Sequence, residues 1–137
     1  MYAYGQGVVK NNKQAVFWYL RAAEQGHSDS QANLGIMYSY GRGIAKDSEK
    51  AVLWFRKAAK QGHAKAQYIL ALEYLKEQAV LKDYKEPYMW VVISRNNGYD
   101  NSEGLIDLME KNMTLIDINK AIDMANVCVE SSYENCN

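Results

Sequence analysis

A period of thirty-six residues constrains this chain more than any other feature. Gly5-Gln6-Gly7-Val8 reappears as Gly41-Arg42-Gly43-Ile44, and Ala15-Val16-Phe17-Trp18 reappears as Ala51-Val52-Leu53-Trp54. The stretch Arg21-Ala22-Ala23-Glu24-Gln25-Gly26-His27 returns as Lys57-Ala58-Ala59-Lys60-Gln61-Gly62-His63. A third copy keeps the spacing with weaker identity: Gln31, Leu34 and Tyr38 fall on Gln67, Leu70 and Tyr74, while Trp54 and Gly62 fall on Trp90 and Gly98. Three tryptophans and three helix-ending glycines on one period exclude chance. Self-similarity at this length marks a repeat architecture, in which no unit can bury its own apolar face and stacking supplies the core.

Each unit reads as two antiparallel helices, A and B. Helix A of the second unit spans about residues 29–40, with Ser30, Leu34 and Tyr38 on one stripe and Gly35 permitting close approach of a neighbouring helix. Gly41 and Gly43 then end the helix and turn the chain. Asp47 is the next N-cap, and Ala51, Trp54, Phe55 and Ala58 form the apolar face of helix B. Asn11 with Gln14 and Asp83 with Glu86 repeat the capping pattern, Asp100 with Glu103 opens another helix A, and Thr114 with Asp117 opens a last helix. Small residues (Ala22, Ala23, Ala58, Ala59) let backbones approach, and Trp18, Trp54 and Trp90 are expected to fill the space between. Few prolines and many good helix formers agree.

The run Leu34-Gly35-x-x-Tyr38-x-x-Gly41-x-Gly43-Ile44, then Asp47-x-x-Lys50-Ala51-x-x-Trp54-x-x-Lys57-Ala58-Ala59-x-Gln61-Gly62, resembles a complete Sel-one-like repeat, a relative of the tetratricopeptide repeat. The resemblance covers nearly the whole chain and implies an all-α, right-handed α-α superhelix, a solenoid of antiparallel helix pairs with a C-terminal capping helix. As one domain over 1–137, it divides into a partial repeat (1–27), a full repeat (28–63), a diverged repeat (64–99) and a cap (100–137). Residues 114–136 resemble the ending of many bacterial members, in which a capping helix precedes a Cys, a Tyr and a last Cys. Two departures stand out. Met1-Tyr2 align with Met37-Tyr38, so the first helix A lacks its N-terminal half, which favours a longer precursor carrying a signal peptide and further repeats. The third unit has Glu77 and Ala79 where turn glycines stood, and Pro87 early in helix B delays that helix's start.

In tetratricopeptide-like solenoids the helix A faces line a concave surface that receives partners. Matching this sequence to that pattern puts Asp29, Ala32, Ile36, Ser39 and Tyr40 on the surface, followed one period later by Lys65, Tyr68, Leu72, Leu75 and Lys76. Ala32, Ile36 and Ser39 point roughly opposite the Leu34 stripe, as helical geometry requires. Ile36, Tyr68, Leu72 and Leu75 are then apolar on a face that packing within the repeat does not need, and exposed apolar surface marks interaction sites. The alternative is a tightly curved solenoid that closes over them.

Sixteen basic residues balance sixteen acidic ones, so no global field favours nucleic acid or an anionic membrane. The longest apolar runs, such as residues 51–55, are far too short to span a bilayer. His27 and His63 sit one period apart without ligand-spaced partners and read as loop residues, so no metal is expected, and no cofactor either. Ser-x-x-Lys, Gly-x-Ser-x-Gly, His-Glu-x-x-His and a Walker loop are all missing, which argues against an enzyme. Cys128 and Cys136 would lie about 12 Å apart on one continuous helix, too far to bridge. A helix stop over residues 131–135 lets the tail fold back to close a disulfide, which favours a periplasmic or secreted location; the alternative is two reduced thiols. The expected function is binding of a protein or peptide partner, as an adaptor or as an immunity protein blocking a secreted toxin. Self-association remains open, as does the alternative of binding or hydrolysing β-lactam or peptidoglycan fragments, which the resemblance to cysteine-rich members brings with it.

Overall fold

The computed structural model describes residues 11–78 and 83–136. The expected half-helix at Met1-Tyr2, the first turn at Gly5 to Val8 and the turn position Ala79 lie outside the described residues. The described chain is all-helical, and it divides into two compact units, residues 1–58 and 59–137.

Unit 1 holds α1 (Asn12–Glu24), α2 (Ser28–Tyr40) and α3 (Ser48–Ala59, its last residue already beyond the division). The α1–α2 connection is a tight reversal: Gly26 N–H and His27 N–H return to the carbonyls of Ala23 and Ala22. His27 then caps α2, its Nδ1 accepting from the Ser30 N–H at 3.3 Å. Gln31, buried one helical turn in, sends its side-chain amide back to the Ala23 carbonyl at 3.1 Å and so satisfies an orphan helix-end group. α2 ends at Gly41, and Gly43 follows with φ +73. A Cβ on Gly43 would fall 2.5 Å from the backbone of Asn12, so only glycine fits both the left-handed turn and the close approach to α1. Asp47 caps α3 as expected, accepting from the Lys50 N–H at 3.1 Å. The side chain of Asn11 makes no equivalent cap bond to α1.

Between α2 and α3, Gly35 accepts the ring of Phe55. A Cβ at residue 35 would meet that ring at 2.6 Å, and Phe55 is completely buried with Ala51 and Ala58 beside it on α3. The tryptophans do not all play the expected filling role. Trp18 is 48% exposed, with the Arg21 guanidinium 5.5 Å from its ring. Trp54 is half-buried under the Lys57 ammonium at 4.7 Å. The physical reason is angular: one residue on from Trp54, Phe55 points at α2 and takes the interior, leaving the tryptophan at the edge of the face. Only Trp90 is fully interior, at 2%.

Unit 2 holds α4 (Ala64–Gln78), α5 (Lys85–Asn96), α6 (Ser102–Glu110) and α7 (Leu115–Glu130). Its entry repeats unit 1: His63 Nδ1 accepts from the Ala66 N–H at 3.1 Å, and Gln67 Nε2 donates to the Ala59 carbonyl at 2.9 Å. α5 starts late, with Pro87 inside its first turn, and is buried on every side from Pro87 to Ser94 because it packs against α4, α6 and α7. Ser94 Oγ donates to the Ala64 carbonyl and accepts from Ser102 Oγ, tying the ends of three helices. Thr114 caps α7 by accepting from the Asp117 N–H at 3.1 Å.

α7 stops at Ser131, where Ser132 and Tyr133 adopt φ +56 and +68 and the Tyr133 N–H returns to the Cys128 carbonyl. The chain folds back and the Cys128–Cys136 disulfide closes with Cα atoms 4.3 Å apart, both sulfurs belonging to buried residues. Tyr133 is thereby held over the turn at Gly62, its hydroxyl 3.3 Å from Asn97 Nδ2, which also donates to Gln67 Oε1. Among the described residues, no buried side-chain polar atom lacks a partner.

Candidate functional site

The helix A positions named from the sequence lie on α2 in unit 1 and on α4 in unit 2. On α2, Asp29 and Tyr40 are exposed, Ile36 and Ser39 are half-buried, and Ala32 is buried. Arg42 lies over the exposed Tyr40 ring at 4.8 Å. Apolar and polar side chains therefore alternate on the accessible part of α2, with Ala32 beneath it.

On α4, Lys65 and Lys76 are exposed while Tyr68, Leu72 and Leu75 are half-buried. These apolar residues recur at four- and three-residue spacing, which places them on one face, and α4 buries Ala66, Gln67, Leu70, Ala71 and Tyr74 elsewhere on its circumference. Tyr68 leans against Tyr99 with ring centroids 5.0 Å apart. Tyr99 occupies the position of His27 and His63 one period on. A tyrosine there cannot offer the imidazole acceptor that caps α2 and α4, and its ring extends the α4 face instead. At the other end of the face, Leu75 opens into an apolar pocket of about 170 Å³ whose other walls are Tyr84, Leu108, Met109 and Asn112. Leu108 is more than half exposed although its neighbours Leu105, Ile106 and Met109 are buried. It falls off the core stripe of α6 and onto the pocket rim.

The electrostatic settings around the pocket are local. Lys85, through its backbone N–H first and its ammonium second, holds the Asp83 carboxyl below the ordinary carboxylate range. Tyr88, buried on α5, donates its hydroxyl to Glu110; burial and then that carboxylate push the phenol above the usual tyrosine range, so it stays a neutral donor. Each of these two groups is thus paired locally, Asp83 with Lys85 and Tyr88 with Glu110. The pocket's lining is almost wholly apolar, and its one amide, Asn112 Nδ2, already donates to the Leu108 carbonyl. Such a surface recognises shape and hydrophobic side chains.

Tyr84, Tyr99, Leu108 and Asn112 were not named from the sequence. Tyr99 carries a readable signal, since it breaks the histidine pattern at a fixed repeat position. Leu108 was detectable as the apolar residue outside the α6 stripe, but its meeting with Leu75 depends on how α6 packs.

Helix pairs closed by capping histidines and glutamine clamps, with half-buried side chains along helix A, define a helical-repeat protein of the tetratricopeptide-like class. The Sel1 repeat model matches residues 1–27, 28–63 and 64–90, and the chain belongs to the Sel1 repeat family. Its structure is similar to that of c5321, a protective antigen present in uropathogenic Escherichia coli strains and displaying an SLR fold, with a TM-score of 0.80 and 29% identity over 91% of this chain and 28% of that one. It is also similar to a Sel1 repeat protein from Oxalobacter formigenes, with a TM-score of 0.70 and 41% identity over 78% of this chain and 44% of that one. The chain thus spans less than half the length of either. No curated protein sequence matches it. Sel1 repeats are in general protein-interaction modules, and the disulfide, the repeats and the helical solenoid fold are all present here.

Proposed function

We propose that this chain binds a protein or an extended peptide through its helix A faces, using Asp29, Ile36, Ser39 and Tyr40 on α2 and Lys65, Tyr68, Leu72, Leu75 and Lys76 on α4. The observation that carries this reading is the α4 face: Tyr68, Leu72 and Leu75 stay partly open to solvent and run from the Tyr99 ring to the apolar pocket beneath Leu108. Core packing does not need side chains left half-exposed, whereas an apolar strip ending in a pocket suits the anchors of a peptide or partner helix. Lysines at both ends, Lys65 and Lys76, form a polar rim of the kind that surrounds binding hot spots. The disulfide supports an oxidising, periplasmic or secreted setting. There the protein acts as an adaptor or as the immunity partner of a secreted toxin, and the identity of the co-purifying protein separates the two roles.

Affinity purification of the tagged chain from its native host, followed by mass spectrometry, supplies the partner, and calorimetry then compares variants. Leu72→Asp is expected to leave the melting curve close to wild type and to weaken binding at least tenfold. An unfolded Leu72→Asp would place that residue in the core, and full-strength binding by a folded Leu72→Asp would remove the α4 face from the site.

A further inference from the structure

Positions that the third repeat buries are left open in the first two. Met89, Trp90 and Ile93 on α5 are almost completely buried, where α5 packs against α6 and α7 as well as α4. One period earlier the same positions carry Leu53, Trp54 and Lys57, and two periods earlier Phe17, Trp18 and Arg21. Phe17 is 53% exposed and Leu53 51%, close to the value for Trp18. Arg21 lies 5.6 Å from the Phe17 centroid as well as over Trp18, and Phe17 meets Trp18 edge-on at 5.2 Å. The helix B face of unit 1 is therefore aromatic and basic together. Arginine and tryptophan at an exposed apolar face are the residue types that anchor protein interfaces.

The chain itself carries the complementary surface. α7 buries Ala121, Ala125 and Cys128 on one side. On its outer side Ile116, Lys120, Asp123, Val127 and Glu130 follow one another at four-, three-, four- and three-residue spacing and so share a stripe. All five are exposed, Ile116 at 67%. Apolar and charged residues thus mix along α7, with Asp123 and Glu130 outnumbering Lys120, where apolar and basic residues mark α1 and α3. The distribution of charge agrees at larger scale. Residues 1–58 hold eight basic and four acidic residues, and residues 59–137 hold eight basic and twelve acidic, so a chain that is neutral overall divides into a basic unit and an acidic one.

From this complementarity we infer that α7 of one copy docks on the helix B face of unit 1 of a second copy, with Asp123 and Glu130 against Arg21 and Lys57. The two surfaces differ, so the contact is heterologous: each association leaves one of each surface unoccupied, and growth continues unless the rotation closes a ring. The helix A faces take no part, so this contact and the partner-binding reading above fail or stand separately.

Sedimentation velocity and light scattering of the full chain over a concentration series, at low and high salt, test the inference. Species larger than the monomer are expected to grow with concentration and to recede as salt screens the charges. Arg21→Glu/Lys57→Glu should abolish the association, since both faces of that variant are then acidic. Asp123→Lys/Glu130→Lys should abolish it equally, since both are then basic. An equimolar mixture of the two variants should associate again, each face meeting its opposite. A chain that stays monomeric throughout overturns the inference and leaves the helix B face to a foreign helix. Association indifferent to salt overturns it too, as does a mixture that stays monomeric.

Discussion

At the scale of single residues, Gly35 and Phe55 are one packing decision. The ring lies where a Cβ on residue 35 would stand, so each residue type requires the other. One period on, the same two positions carry Ala71 and Val91, both completely buried: the small residue has grown and the large one has shrunk. This predicts a strong coupling. Gly35→Ala alone overfills the site and is expected to cost about 1–3 kcal/mol, and Phe55→Val alone leaves a void costing a similar amount. The pair Gly35→Ala/Phe55→Val should cost less than the sum, because it installs the third repeat's solution in the second. Urea denaturation of the four proteins measures the cycle, and strict additivity would mean that the two residues do not share the space. The exchange was legible only in part. The period exposes Gly35 and the tryptophan column, but whether Trp18, Trp54 or Trp90 is interior depends on which helices reach that side of each repeat, and distant residues set that.

At the scale of elements, local devices were legible only in part and packing less so. Asn11 makes no side-chain cap bond, and the N-cap positions of α5 and α6 are Tyr84 and Asn101, one residue beyond the Asp83 and Asp100 read from the sequence. Asp47 and Thr114 cap α3 and α7 through single local hydrogen bonds, so their positions were readable. The histidines His27 and His63 looked like loop residues and serve as caps, a role that rests on the same three-residue reach. The buried clamps of Gln31 and Gln67 were not readable, because each spans eight residues to a helix-end carbonyl across a turn. The C-terminal turn combines both cases. Ser132 and Tyr133 in the left-handed region are unfavourable for non-glycine residues, and the structure over-determines them through the disulfide, the Tyr133 to Cys128 backbone bond and the Asn97 side chain. Opening so short a loop by Cys128→Ser should lower stability by about 2–3 kcal/mol on chain-entropy grounds. Thermal melts of the oxidised wild type, the reduced wild type and Cys128→Ser check this. The two thiol forms should agree with each other and fall below the oxidised chain; three coincident melts would show that the hydrogen bonds hold the turn without the bridge.

At the scale of the molecule, a stack of repeats has no single core, so stability is distributed by how completely each helix is surrounded. α5 buries eight consecutive residues, from Pro87 to Ser94, including Tyr88, Met89, Trp90 and Ile93. α1 buries three, Ala15, Val16 and Ala23, and leaves its two aromatic neighbours Phe17 and Trp18 half in solvent. The apolar area removed from water per residue is therefore far larger in α5, and the free energy needed to open it rises with that area. The α4 face proposed for binding lies between these extremes: Leu70, Ala71 and Tyr74 anchor it within unit 2 while Tyr68, Leu72 and Leu75 remain accessible. A recognition surface built on a firmly held helix loses little entropy on binding. Native-state hydrogen exchange followed by NMR or mass spectrometry reads this gradient directly. Amides of α5 should exchange slowest, through openings close to global unfolding, those of α4 should follow, and those of α1 should exchange orders of magnitude faster. Uniform protection from α1 to α7 would show that the chain opens as one cooperative body, and the helix-by-helix account of its stability would then be wrong.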